Sequence, residues 1–160
     1  MLRLLSQKEI KENWEEYRTH IEKAYTSTEG GNLLTSNSSI DIYKTIYGKL
    51  MNPFNEDTHL WISKNKDYLL LTQIQECEFT GRRTLLIESG TRIKFGREFS
   101  NKETRDNWYY NNYITFSKFA KERNCEAIYT FSDLDYFARI GEQLKKRANV
   151  ITRYQFYFPL

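Results

Sequence analysis

Proline and cysteine occur only twice each, and glycine seven times, in 160 residues. So little proline and glycine excludes collagen-like and linker-like architectures. Two cysteines, Cys77 and Cys125, cannot build a disulfide framework. They lie far apart in strand-like contexts and are expected as buried free thiols in a reducing, cytoplasmic compartment. The two histidines, His20 and His59, have no ligand-like spacing to cysteine or acidic partners, so no metal site is expected. No apolar run approaches a membrane span, the longest being Tyr68–Leu71, so no membrane association is expected. Met1–Leu5 is too short for a signal peptide and is followed at once by a charged helix. An excess of one charge is missing too. The balance of 24 basic and 21 acidic residues, net +3, falls short of the one-sided clustering that marks a nucleic-acid partner, which is not favoured. Neither a G-x-S-x-G elbow nor a phosphate-binding P-loop is present.

Aromatic residues are plentiful. Twelve Tyr, ten Phe and three Trp offset a hydrophobic content of only 39%, because rings bury much area per residue and pack against one another. Read in order, Met1–Leu5 is a first strand. Ser6 opens a helix with Glu9 completing a capping box, and Ile10, Trp14, Tyr17, Ile21 and Tyr25 form one apolar stripe along it. After a polar loop, Ser38 or Ser39 is expected to cap a second helix, with Ile42, Tyr43, Ile46, Tyr47 and Leu50 on its buried face and a stop at Asn52-Pro53. His59–Ser63, Tyr68–Phe79 and a strand starting at Arg82 form an antiparallel meander. Glu76 and Glu78 are expected to pair with Arg82 and Arg83 around its second turn.

The stretch from Thr84 to Phe131 organises the rest. It reads strand (Thr84–Ile87), basic loop (Gly90–Arg97), long helix (Asn101–Arg123, capped by Ser100 with Glu103) and strand (Ala127–Phe131), a parallel crossover unit. Tyr109, Tyr113, Phe116 and Ala120 mark the buried face of that helix, with Trp108 and Phe119 widening it, and Asn124 is its stop. A helix over Asp133–Arg147 and an alternating strand over Val150–Phe158 close the chain, the latter expected antiparallel to Ala127–Phe131. The expected core comprises Trp14, Tyr17, Ile21, Ile46, Leu69, Leu71, Leu85, Ile87, Phe116, Ile128 and Phe137. The basic residues Arg82, Arg83, Arg92, Lys94, Arg97, Lys102 and Arg105 read as a solvated face or an anion-docking surface.

This order of elements, joined to Tyr136-Phe137-Ala138-Arg139-Ile140-Gly141, resembles the GNAT (N-acetyltransferase) superfamily, whose corresponding segment is often FYxKLG. The resemblance implies an α/β fold over residues 1–160, a single GNAT-like domain with a mixed central sheet flanked by helices. It also implies where function would sit. The family holds acyl-CoA with a Q/R-x-x-G-x-G/A loop, whose bare backbone approaches phosphate at a helix start. Here Arg92, Lys94, Gly96 and Arg97 occupy that loop, with Phe95 where the first glycine stands and Arg97 where the last small residue stands. Phe137 replaces the tyrosine that in many members protonates the leaving thiolate; Tyr136 is its neighbour, turned about 100° away. Glu88 ends the preceding strand as the candidate general base. The expectation is a non-catalytic binding or structural module with no cofactor and a protein partner, of the kind found in tailed phages and in some cases carried in the virion. The alternative is a divergent N-acyltransferase that moves an acetyl group from acetyl-CoA to an amine, with Glu88 and Tyr136 catalytic.

Overall fold

Local chemistry sets most of the helix ends in the structure, a computed structural model that describes residues 1–26, 41–92 and 102–130. Strand β1 (Leu2–Leu4) leads into helix α1 (Gln7–Glu12), which starts at the expected capping box. Ser6 Oγ accepts from the Glu9 N–H at 3.3 Å, and the Glu9 carboxylate accepts from the Ser6 N–H at 3.0 Å. The apolar stripe does not form one continuous helix. At Asn13 the backbone leaves helical geometry, and both its N–H and its side-chain Nδ2 donate to the Glu9 carbonyl. An asparagine that competes locally for backbone acceptors interrupts the ladder, and α2 (Trp14–Thr26) begins beyond it.

Helix α3 (Ile42–Met51) is capped by Asp41, whose carboxylate accepts from the Lys44 N–H at 3.0 Å, and not by Ser38 or Ser39. The carboxylate stands directly before the first helical residue and also favours the positive end of the helix dipole. Its stop at Asn52 is as expected. Strands β2 (Thr58–Ser63), β3 (Tyr68–Glu76) and β4 (Arg83–Arg92) form the meander. Helix α4 (Lys102–Glu122) then crosses to β5 (Cys125–Thr130), which lies parallel to β4. Asn124, at φ 56°, supplies the left-handed residue that ends α4. Ser100, Phe137, the 133–147 helix and the 150–158 strand lie outside the described residues.

Among the described residues the sheet has five strands in the order β1-β2-β3-β4-β5. Its period-two alternation separates two cores. Leu60, Ile62, Leu69 and Leu71 face α1–α3, where Ile10, Tyr17, Ile21, Ile46 and Leu50 are buried. Trp61, Ile74 and Leu85 face Phe116, Phe119 and Ala120 of α4. Trp61 donates its indole N–H to Thr72 Oγ1 at 2.9 Å inside this second layer, and buried Asn112 accepts from the Leu2 N–H at 3.3 Å. Trp14, Ile87 and Ile128, expected in the core, are half-buried. Trp14 packs on Tyr47 between helices at 4.8 Å, and the two isoleucines border the α4 core without being enclosed.

Strand β3 ends at Glu76, short of the expected Phe79, because the chain turns at once. The Gly81 N–H donates to the Cys77 carbonyl at 2.8 Å, and Gly81 adopts φ 65°, which its missing Cβ allows. Cys77 is therefore exposed, contrary to expectation, while Cys125 is buried; both are free thiols. Glu76 stands opposite Arg83 in the ladder, yet Arg83 reaches Asp57 at 3.1 Å and the Arg123 carbonyl at 3.1 Å, and Arg82 reaches Glu126 at 3.5 Å. The residue before β2 and the start of β5 together supply partners that the hairpin's own acids were expected to provide.

Candidate functional site

A single inserted residue in β4 creates the candidate site. In the β3–β4 ladder Thr72 pairs with Ile87 and Leu71 with Ser89, so Glu88 is left without a partner in a β-bulge. Such an extra residue bends and twists the strand and re-aims its neighbours. It also lets β4 continue. Gly90 pairs with Leu70, Thr91 with Leu69 and Arg92 with Tyr68. The segment from Gly90 to Arg92, expected as loop, is strand.

Glu88 is exposed and accepts a hydrogen bond at 3.2 Å from the hydroxyl of Tyr25. Tyr25 arrives there by helical spacing. Tyr17 and Ile21 bury one face of α2 against the sheet, and a further turn carries Tyr25 over β4. Burial, then the negative charge of Glu88 and its acceptance of the hydrogen bond, raise the Tyr25 pKa far above the usual phenol range. Tyr25 is thus a neutral donor fixed on the carboxylate. In the sequence Tyr25 belongs only to an apolar stripe; its partner lies 63 residues away with no local signal.

The pair opens onto a cleft of about 230 Å³. Its wall is one face of α3, where Ile42, Thr45, Ile46 and Lys49 recur at helical spacing. Its floor is Leu71 and Gln73 of β3 with Thr58 of β2. A larger open groove of about 750 Å³ lies on the opposite flank of α3, against Tyr43, Lys44 and Tyr47. Charges of both signs line it and none of the candidate residues does, so its size does not make it the site.

The structure thus brings Glu88 to a cleft. Arg92 ends β4 four residues further on, roughly 13 Å along the strand. Lys94, Gly96, Arg97 and Tyr136 lie outside the described residues. Among the described residues the basic side chains at the start of β4 are already engaged. Arg82 and Arg83 are paired at the start of β4, roughly 30 Å from Arg92, and Arg105 pairs with Asp106 at 3.5 Å. Among the described residues no group of three or more His, Cys, Asp or Glu could hold a metal ion. His59 lies edge-on to Phe119 at 4.8 Å with a buried Nε2 that has no partner, and burial, then the Arg123 charge, lowers its pKa. No described helix is long and apolar enough to cross a membrane.

No protein-family model matches the chain, and no curated protein matches it. Solved structures do. An aminoglycoside acetyltransferase from an uncultured soil metagenomic sample, in complex with sisomicin, superposes with a TM-score of 0.58 at 11% identity, over 100% of this chain and 95% of that one. A GNAT family acetyltransferase from Staphylococcus aureus gives 0.56 at 16% identity, over 100% and 97%. A probable acetyltransferase gives 0.59 at 7% identity, over 99% of each chain. Likeness at these identities establishes the fold, a mixed α/β GNAT fold.

Proposed function

On a GNAT fold, we propose a binding module that does not handle acyl-CoA, a protein-docking or structural part of the kind carried by tailed phages and their virions. The position of Gly90–Arg92 carries this reading. These residues extend β4 along β3, so the chain is still strand where the glycine-rich loop of an acyl-CoA site would be expected to begin. A Cβ built on Gly90 would lie 3.5 Å from Leu70 Cγ, packed against the neighbouring strand. Beyond Arg92 the sequence supplies Gly96 alone, between Phe95 and Arg97, where several small residues are needed. A single glycine in that segment supports a module that does not cradle phosphate. Composition rich in Asn, Tyr, Lys and Ile is consistent with the phage association, and the near balance of 24 basic and 21 acidic residues favours protein over nucleic acid as the partner.

Calorimetric titration with acetyl-CoA at physiological salt tests it. Two lost charge-assisted contacts, at about 1.5–3 kcal/mol each, lower affinity by roughly 10²–10⁴-fold. The expected result is no saturable binding in the micromolar range. Micromolar binding abolished by Gly96→Trp would overturn the proposal.

A second reading is favoured by one observation, the Glu88 carboxylate held by Tyr25 on a cleft. On that reading the chain is an N-acyltransferase, Glu88 accepts a proton from an amine, and Tyr136 serves the leaving thiolate. It requires acetyl transfer that falls about 10²–10⁴-fold in Glu88→Gln, the usual contribution of a general base.

A further inference from the structure

Away from Glu88, the open groove on the other flank of α3 is built on two rungs between helices. Trp14 and Arg18 stand four residues apart on α2, and Tyr43 and Tyr47 four apart on α3, so each pair shares a helix face. The Trp14 and Tyr47 rings meet at 4.8 Å, tilted by 45°, and the Arg18 guanidinium lies 5.7 Å from the centre of the Tyr43 ring. All four side chains are half-buried and line the groove. The core beneath is filled without them, by Tyr17, Ile21, Ile46 and Leu50; Trp14 and Tyr43 only border it. Their polar atoms are unspent. Among the described residues the Arg18 guanidinium has no carboxylate partner, and neither the Tyr43 nor the Tyr47 hydroxyl makes a hydrogen bond. At about 750 Å³ the groove falls within the roughly 300–1,000 Å³ of ligand sites.

From this arrangement we infer that the groove binds a neutral, extended oligosaccharide of pyranose units. Its mixed charge selects against a charged ligand. An anion meets Glu12, Glu15 and Glu16, and a cation meets Lys11, Arg18 and Lys44. A sugar ring meets neither penalty. Its flat face carries C–H groups polarised by the neighbouring oxygens, and these are drawn to the negative face of an aromatic ring. Its rim carries hydroxyls in adjacent pairs. The planar Arg18 fork matches two such oxygens, and the tyrosine hydroxyls donate or accept the remaining bonds. Four helical residues, roughly 6 Å, separate one rung from the next, a step of the same order as that between successive rings of an extended chain. The inference goes beyond the binding-module reading and does not depend on it, because Glu88 and its cleft lie on the other flank of α3.

The test is calorimetric titration of the full chain with two neutral chains, cellohexaose and chitohexaose, and with the glucosamine hexamer, which is chitohexaose without its acetyl groups and therefore cationic. At least one neutral chain is expected to saturate a single site with a Kd of about 1 mM or tighter. Its affinity should be the same at physiological and at high salt, since no net charge is screened. The glucosamine hexamer is expected to bind at least about ten-fold more weakly than chitohexaose at physiological salt. Arg18→Met keeps an apolar stem beside Tyr43 and loses the donor fork; Tyr47→Ala removes one rung. Each is expected to weaken the neutral chain by at least about ten-fold. If either variant fails to fold, the comparison of neutral and cationic chains on the parent protein still decides. No saturable binding of either neutral chain, glucosamine-hexamer binding as tight as that of chitohexaose, or unchanged affinity in both folded variants would overturn the inference.

Discussion

Thr72 lies beside the bulge at 0% exposure, and its hydroxyl accepts the indole N–H of Trp61, itself 3% exposed, at 2.9 Å. Thr72→Val keeps the shape of the side chain and removes the acceptor. A buried indole N–H without a partner costs about 1–3 kcal/mol. The new methyl recovers part of that, at about 0.8 kcal/mol per buried carbon. The expected net loss is about 0.2–2 kcal/mol. Thr72→Ser separates the contributions, since it keeps the acceptor and loses only a methyl, about 1 kcal/mol with a small cavity. Urea unfolding followed by far-ultraviolet circular dichroism, with slopes compared across variants, gives both differences. Adding Trp61→Phe closes a double-mutant cycle, in which the coupling should be about 0.5 kcal/mol or more because the two groups touch. A Thr72→Val protein as stable as the parent, with no coupling to Trp61, would refute the claim that this hydrogen bond holds β2 to β3 beneath α4.

Phe116, 4% exposed and edge-on to Trp61 at 5.0 Å, should cost about 3–5 kcal/mol on truncation to Ala; a loss under about 1 kcal/mol in the same unfolding assay would mean that the ring is not enclosed. The Arg3 guanidinium, then the Ser6 N–H, hold the Glu9 carboxyl down to about 2, so its contribution is present above pH 4.5 and is lost as pH falls through about 2; nuclear magnetic resonance titration should find that midpoint, and Arg3→Met should move it up. His59 has the same direction of dependence at higher pH: its folded pKa lies below the ordinary 6.5, so stability is full above that pH and declines as acid forces a proton onto a buried ring. His59→Gln should flatten that acid-side decline, and equal slopes in both proteins would contradict it.

Much of the fold is legible in the sequence because its signals are local. The Ser6–Glu9 box, the Asn124 stop and the short apolar strand at His59–Ser63 each depend on residues within a few positions. The candidate site is legible only in Glu88. A bulge is one unpaired residue, and Ser89-Gly90-Thr91 reads as a break because glycine usually punctuates a strand; what keeps it in the sheet is β3, many residues upstream. Tyr25 reaches Glu88, and Arg83 reaches Asp57, through tertiary packing that periodicity does not encode. The exposure of Cys77 comes from where the hairpin closes, which is set by the positive φ at Gly81.

The order of strands across the sheet is also the order in which a ribosome makes them. Each described strand emerges to find its neighbour already synthesised, and none has to be inserted between two finished ones. The β2–β4 meander can therefore assemble from short-range pairings as the chain is made. The exception is the parallel β5, which must wait for α4. At roughly 5–20 residues per second, translation from Arg92 to Cys125 occupies on the order of seconds. During that interval one side of β4, with Leu85, Leu86 and Ile87 in it, is an uncovered edge able to recruit another nascent chain. The unpaired acidic residue in the middle of that strand twists the edge and charges it, a safeguard for the growing polypeptide as well as a feature of the finished one.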